Sequence, residues 1–254
     1  KNSKPSTLKV LEKKLATKAP SLPASAMQAP NTVKSEDECR KILASIGIPM
    51  ANSEVAKSAK EAISIWSAIN GPVALKIVSP DILHKTEIGG VRLNLNDPTE
   101  IEDAFNDIIE AGTKHYPKAN IEGVIISEMI SEGVETVLGV INDPIFGPAV
   151  MFGLGGVFVE VLGDVTFRLA PFDLSEAHRM IAEIKGIKML YGARGAASSD
   201  IDAIADALVK LSIFASTNSD KISSIDINPF IVRPEGQGAV GVDALIIPHG
   251  VDVI

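Results

Sequence analysis

Residues 73–91 read VALKIVSPDILHKTEIGGV. The first six are apolar apart from Lys76 and predict a buried strand, Val73–Val78. The loop that follows, residues 79–90, sets a proline, two acids, a histidine and a lysine ahead of the pair Gly89-Gly90. Connections between elements are usually short and plainly polar, so this one asks for a reason. Lys76 reads either as a solvent-facing strand residue or as a fixed cation at the wall of a cleft, neutralising nucleotide phosphates. His84 reads either as a surface histidine or as a transferable nucleophile on a mobile loop, with the glycines permitting movement. Periodicity alone does not separate these readings.

The bulk numbers narrow the field. A chain of 254 residues suits one large domain or two small ones sharing a core. The net charge of −8 argues against a general nucleic-acid binder. A single cysteine, Cys39, excludes an internal disulfide and a cysteine-built zinc site, and suits a reducing cytosol. No apolar run approaches the ~20 residues of a membrane span, and the N-terminus lacks the apolar core of a signal peptide. A soluble, cytoplasmic protein is expected. Residues 1–34 carry seven lysines against Glu12 alone, with Pro20, Pro23 and Pro30 among small residues. They read as a linker or tail, with a short helix expected around Leu8 to Leu15, that joins or once joined the globular part to something upstream.

From Ser35 the punctuation sharpens. Ser35 and Glu38 form a capping box for a helix through Ile46. Helices are also predicted over Ser58–Ile69, after Asp97, over Ser175–Ile184 and over Ile201–Phe214. Strands are predicted at Val73–Val78, Val91–Leu95, Ile121–Met129, Glu135–Ile141, Ala149–Phe152, Val157–Leu162, Ser224–Ile227, Phe230–Val232 and Ala239–Val242. Strands often follow one another directly, so a wholly parallel sheet is not expected. An α+β architecture with two subdomains meeting over a cleft fits, divided as 35–125 and 126–254.

Several stretches carry chemistry, each with a plainer alternative. In SIDINPF, residues 224–230, Asp226 and Asn228 alternate with isoleucines and so share one face of a strand. Asp243, in GVDA, would meet Asn228 if the two strands form a hairpin. An oxygen-rich corner of that kind holds Mg²⁺ together with substrate phosphates; equally, Asp and Asn commonly flank turns. The glycines of FGLGGV, residues 152–157, fail the dinucleotide pattern, because Phe158 stands where a glycine is needed. They mark a tight turn or a close approach to a ligand. Glu128, Glu132 and Glu135 form a solvated connection or a hinge whose backbone reads an adenine edge. Arg168 and Arg194 read as phosphate clamps or as exposed arginines. His115, His178 and His249 take the surface reading.

Taken together, SEDECRKILASIGIP, the opening stretch, GVINDPIFGPAVMFGLGGVFVEVLGDVTFRLAP, YGARG, IDINPF and GVDALI resemble the nucleotide-binding half of NDP-forming acyl-CoA synthetases. The likeness is to the ADP-forming acetyl-CoA type, covers the chain from Ser35 onward, and is more distant to the β subunit of succinyl-CoA synthetase. It implies an ATP-grasp fold with ATP or ADP between two α+β subdomains. It further implies that Lys76 contacts phosphates, that Glu128 and Met129 lie at the adenine-side hinge, and that Asn228 and Asp243 hold Mg²⁺ with Asp226 close by. Glu135, Gly155, Gly156, Glu160 and Arg194 are implied to line the site. The family reaction, acyl-CoA + ADP + phosphate ⇌ acid + CoA + ATP, runs through an acyl phosphate and a phosphohistidine, and His84 matches a histidine carrier. The CoA-binding portion would be a separate subunit or an upstream part of a fused chain. Two other functions remain compatible: another ATP-grasp carboxylate ligase, and a nucleotide-binding regulatory module of a protein acetyltransferase-type fusion.

Overall fold

The computed structural model describes residues 35–82, 85–156, 163–192 and 197–251. The tail 1–34, the predicted strand 157–162, and His84, Glu160 and Arg194 lie outside the described residues. The chain divides into two compact units, one of residues 35–39 and 51–131, the other of residues 40–50 and 132–251. Helix α1, Glu36–Ser45, carries the division within it. It opens on the expected reciprocal cap: the Ser35 amide donates to Glu38 Oε2 at 3.3 Å and the Glu38 amide donates to Ser35 Oγ at 3.5 Å.

The smaller unit is a four-stranded antiparallel sheet in the order β1-β4-β2-β3. Its strands are β1 (Ser53–Ala56), β2 (Val73–Val78), β3 (Val91–Leu95) and β4 (Gly123–Glu128). Helices α2 (Ala59–Ile69) and α3 (Pro98–His115) pack on the sheet. Asp97 caps α3 as expected, accepting from the amides of Thr99 at 2.8 Å and Glu100 at 3.0 Å, with Pro98 in the first turn where no N–H is needed. Val73, Leu75 and Ile77 join Val124, Ile126, Ile101 and Ile108 in the core. Because strand side chains alternate, Ala74 and Lys76 are left on the opposite face, beside Ser127 and Ile125.

The larger unit is a six-stranded antiparallel sheet in the order β10-β8-β5-β6-β7, with β9 also paired to β8. Its strands are β5 (Val134–Asp143), β6 (Gly147–Leu154), β7 (Val165–Leu169), β8 (Ile222–Val232), β9 (Ala239–Gly241) and β10 (Ala244–Pro248). Helices α4 (Leu174–Ala182) and α5 (Ile201–Thr217) pack on it. Two cross-strand rows, Ile227–Leu138–Phe152 and Ile225–Val140–Val150, are buried. The intervening row, Asp226–Gly139–Met151–Phe167, lies on the other face.

The strands expected separately at 224–227 and 230–232 are one strand, β8. Proline is tolerated there because the pairing with β5 slips: Phe230 faces Thr136 and Ile227 faces Leu138, so Asn228 and Pro229 oppose Val137 alone. The missing N–H of Pro229 thus falls at a bulge, not at a ladder position. Three strands were not expected, β1, β7 and β10, and each is an edge strand. An edge strand of four or five residues takes its stability from its single neighbour, and so short a run is little distinguished from a loop by pattern alone. The expected boundary after residue 125 falls inside β4, which is paired to β1 and β2 through Ser127 and Glu128 and so keeps residues to 131 with the smaller unit.

Asp200 ties the larger unit together. Its Oδ1 accepts from the Ala203 amide at 3.0 Å, capping α5. Its Oδ2 accepts from the amides of Gly236 at 3.0 Å and Gly238 at 2.9 Å, in the turn between β8 and β9. Asp200→Ala is therefore expected to cost about 2–3 kcal/mol of stability in denaturant unfolding, with an unchanged slope, and Asp200→Asn is expected to cost less.

Candidate functional site

The candidate residues fall in both units, and each group is built by its own local logic. In the smaller unit, the alternation of β2 puts the Lys76 side chain on the face away from Leu75 and Ile77, where only 9% of it remains accessible. A buried ammonium requires a counter-charge. Glu36, in the first turn of α1, supplies it, with Oε1 3.8 Å from Lys76 Nζ. The other oxygen, Oε2, accepts a charge-assisted hydrogen bond from Lys85 Nζ.

The loop between β2 and β3 is fastened on both sides of Leu83 and His84. Before them, the Asp81 amide donates to Ser79 Oγ at 3.2 Å, Asp81 Oδ2 accepts from the Asn120 amide at 2.7 Å, and Ile82 is buried. After them, the Gly90 amide donates to the Lys85 carbonyl at 2.8 Å, and the Gly90 carbonyl accepts from the Ile77 amide at 2.9 Å. A Cβ on Gly90 would stand 2.8 Å from Ile77 Cγ2 and 2.9 Å from the Lys85 oxygen. The glycine pair, expected to permit movement, thus serves close packing at Gly90 and a left-handed turn at Gly89, φ 74°.

At the end of β4, Glu128 is engaged. Its carboxylate accepts from the Asn52 amide at 2.9 Å and from Asn52 Nδ2 at 3.3 Å, while its own amide donates to the Asn52 carbonyl at 3.0 Å. The Met129 amide donates to the Pro72 carbonyl at 3.0 Å.

In the larger unit, the bulge in β8 sets the second group. The Asn228 amide donates to the Asp243 carbonyl at 3.3 Å, and the Val242 amide donates to the Pro229 carbonyl at 2.9 Å. Asn228 and Asp243 therefore spring from adjacent backbone, as a hairpin requires. Arg40 braces the turn by donating from Nη1 to the Val242 carbonyl at 2.6 Å. Asp226 lies on the sheet face opposite the buried isoleucines and is reached by solvent, yet neighbouring protein desolvates it and raises its carboxyl pKa. Among the described residues no three of His, Cys, Asp and Glu gather as a metal cluster. Two carboxylates and an amide are the sparser oxygen set that suits Mg²⁺ when phosphates complete the shell.

Gly155 packs on Glu135: its amide donates to the Glu135 carbonyl at 2.7 Å, and a Cβ would lie 3.0 Å from Glu135 Cβ. Gly156 has φ 59°, and among the described residues nothing lies within 4 Å of where a Cβ would stand. Arg168 does not join these residues. It sits in the row with Val150, on the face opposite Asp226, and its guanidinium bonds Glu183 at 2.6 Å and Glu176 at 2.5 Å, which raise its pKa. Its reading as a phosphate clamp is overturned by that strand alternation. Glu36, Arg40, Asn52 and Lys85 were not singled out from sequence. Lys85 stood in the quoted loop, Glu36 and Arg40 stood in the stretch SEDECRKILASIGIP with no role of their own, and Asn52 carried no signal.

A family model for the ATP-grasp domain matches residues 25–247. The β subunit of acetate–CoA ligase (ADP-forming) II from Pyrococcus furiosus is 44% identical over 219 residues, 86% of this chain and 93% of that protein. The 4-hydroxybutyrate–CoA ligase (ADP-forming) of Nitrosopumilus maritimus is 42% identical over 211 residues, covering 83% of this chain but 30% of that longer protein. A solved structure of the dinucleotide-forming acetyl-coenzyme A synthetase 1 of Ca. Korarchaeum cryptofilum superposes with a TM-score of 0.77 at 39% identity, covering 90% of this chain and 98% of that one. That structure contains coenzyme A and Mg-AMPPCP, with its phosphohistidine segment pointing towards the nucleotide-binding site.

The raised pKa of Asp226 fixes the sign of its effect on stability. A carboxyl whose folded pKa exceeds its unfolded value destabilises the fold once ionised, and this penalty is relieved as pH falls through the folded pKa. In metal-free buffer at neutral pH, Asp226→Asn is expected to raise the thermal midpoint, and the gain should shrink on acidification. A midpoint lowered at neutral pH would contradict the assignment.

Proposed function

This chain belongs to the ATP-grasp family and is the ATP-grasp part of an ADP-forming CoA ligase, and from that premise we propose how its residues divide the work. The observation that carries the reading is the 44% identity extending over 93% of a β subunit of that activity. Lys76 is the cation for the nucleotide's phosphates: its fixed position in an interior strand makes it a preorganised charge that needs no reorganisation when phosphate charge shifts. Glu128 and Met129 line the adenine side. Both of their amides are already donated to Asn52 and Pro72, so the exocyclic amine of adenine is met by carbonyl oxygens there. Gly155 and Gly156, next to Glu135, leave room for a close approach, with Glu160 and Arg194 completing the lining.

Asn228, Asp243 and Asp226 hold Mg²⁺, which when bound supplies charge neutralisation for the β- and γ-phosphates. His84 is the carrier. One ring nitrogen attacks the γ-phosphorus of ATP, the bond to the β–γ bridging oxygen breaks, and ADP leaves. In reverse, the N–P bond breaks as an oxygen of the ADP β-phosphate attacks, and the imidazole returns to its neutral form. A CoA-binding portion, as a second subunit or as further chain in a longer protein, provides the carboxylate and CoA chemistry. The chain works in the cytoplasm; among its described residues no helix is long and apolar enough to cross a membrane.

Incubation with Mg²⁺ and γ-phosphate-labelled ATP is expected to give acid-labile, base-stable label on the wild-type chain and none on His84→Ala. Label retained by His84→Ala, or no label on wild type with the CoA-binding partner supplied, refutes the carrier. Lys76→Met is expected to weaken ATP binding on the order of 10²-fold in equilibrium titration. Asn228→Ala with Asp243→Ala should leave metal-free nucleotide binding intact while abolishing its enhancement by Mg²⁺.

A further inference from the structure

We propose that the open face of the larger unit's sheet, at its β5–β6 turn, is the surface on which the CoA-binding portion of the enzyme docks. This rests on the reading that such a portion works with this chain, and not on which residue carries the phosphoryl group. The ground is an exposed apolar group with no helix over it. Ile145 and Phe146, in the turn between β5 and β6, are 83% and 69% exposed. Ile141 and Leu169 are exposed on either side of Ala149 in one cross-strand row, and Phe167 is exposed in the row of Met151, Gly139 and Asp226.

Reversing the chain does not require these side chains. A turn is served by Asp, Pro and Gly, and this one already has Asp143, Pro144 and Gly147. Asp143 Oδ1 accepts from the amides of Ile145 at 2.7 Å and Phe146 at 2.8 Å, and Gly147 takes φ 82°. The polar start of the turn thus holds its backbone, and two large apolar side chains are presented from a fixed place. Contiguous exposed apolar groups mark interaction sites, and an aromatic that is already positioned is the kind of residue that anchors an interface. The opposite face of the sheet is the one the helices cover: Thr166 Oγ1 donates to the Met180 carbonyl of α4 at 3.1 Å, and the rows through Leu138 and Val140 are buried.

Three observations choose the occupant. The two open rows, Ser224–Ile141–Ala149–Leu169 and Asp226–Gly139–Met151–Phe167, contain no Lys or Arg, so nucleic-acid phosphates or an anionic lipid surface would meet no counter-charge. The apolar group also continues the face that bears the proposed metal corner. Gly139 stands opposite Asp226, and at about 3.3 Å per residue Ile141 lies roughly 7 Å further along the same side of β5. A partner seated there borders the phosphate end of the proposed site. Finally, the matched part makes up 93% of a separate β subunit but 30% of a longer relative. A surface that meets the remaining machinery must therefore work with or without a covalent link, which a preformed apolar face does.

Cys39 is the chain's one cysteine and is buried, so Ile145→Cys places a single accessible thiol in the turn. Maleimide labelling of that thiol is timed in the chain alone and with the CoA-binding portion at saturation. Leu174→Cys, at the exposed start of α4, is the control. Labelling is expected to slow at least tenfold on assembly for Ile145→Cys and to stay within twofold for Leu174→Cys. Ile145→Asp and Phe146→Asp should each weaken association with the CoA-binding portion at least tenfold in titration calorimetry. Their circular dichroism and Mg-ATP affinity should match wild type, and Phe146→Leu should keep most of the association.

Unchanged labelling of Ile145→Cys in the assembled enzyme, or unchanged association of both Asp variants, overturns the proposal and leaves the proposed function standing. Protection of the thiol in the chain alone that rises with its own concentration, and is lost when Phe146→Asp is added to it, makes a second copy the occupant and also overturns the proposal. A wild-type chain that neither binds the CoA-binding portion nor supports thioester synthesis with it removes the partner reading, and this inference with it.

Discussion

The ammonium of Lys76 sits where burial is least favourable to it, in one of the two interior strands of a four-stranded sheet. Taking such a charge out of water costs several kcal/mol unless an anion stands close by. Glu36 meets that demand, and much of the smaller unit follows from it. The capping box holds the first turn of α1 so that Glu36 is presented from a fixed helix end, where the helix dipole also favours a carboxylate. The loop after β2 folds back tightly through Gly90 and brings Lys85 to the same carboxylate. One buried anion therefore organises a strand, a helix start and a loop exit.

The larger unit depends on a different device. A continuous β8 with regular pairing would have no place for Pro229, which cannot donate to the ladder. The bulge opposite Val137 accommodates it and brings the Asn228 backbone to that of Asp243, while Ile225 and Ile227 stay in the core. The same irregularity that makes room for the proline thus builds the oxygen-rich corner. Asp226 is accessible yet partly desolvated, and so harder to ionise than a free carboxyl. Residues placed for binding commonly cost stability in the unliganded protein.

Much of this was legible in the chain because local rules and the fold agree. The β2 run, the Asp97 cap, the amphipathic α3 and the alternation of Asp226 and Asn228 with isoleucines all report short-range physics. Edge strands β1, β7 and β10 were missed because each is only four or five residues long and is ordered by pairing along one edge alone, for β1 with a strand about 70 residues away. The fate of Arg168 was hidden for a related reason: only the pairing with β6 tells which face it occupies, and only α4 and the turn after it supply Glu176 and Glu183.

The sequence by itself determined the element types, the hydrophobic periodicity, and a set of motifs sufficient to recognise the ATP-grasp family. These are encoded in residues a few positions apart, where propensity, capping and alternation act directly. Only the tertiary structure decided that Glu36 serves both Lys76 and Lys85, that Asn52 occupies the Glu128 carboxylate, and that the glycine pair is needed for packing. Each of those depends on an ion pair, a hydrogen bond or a close approach whose partners come from separate elements. Such contacts exist only once the strands have chosen their register and the chain has brought those partners together.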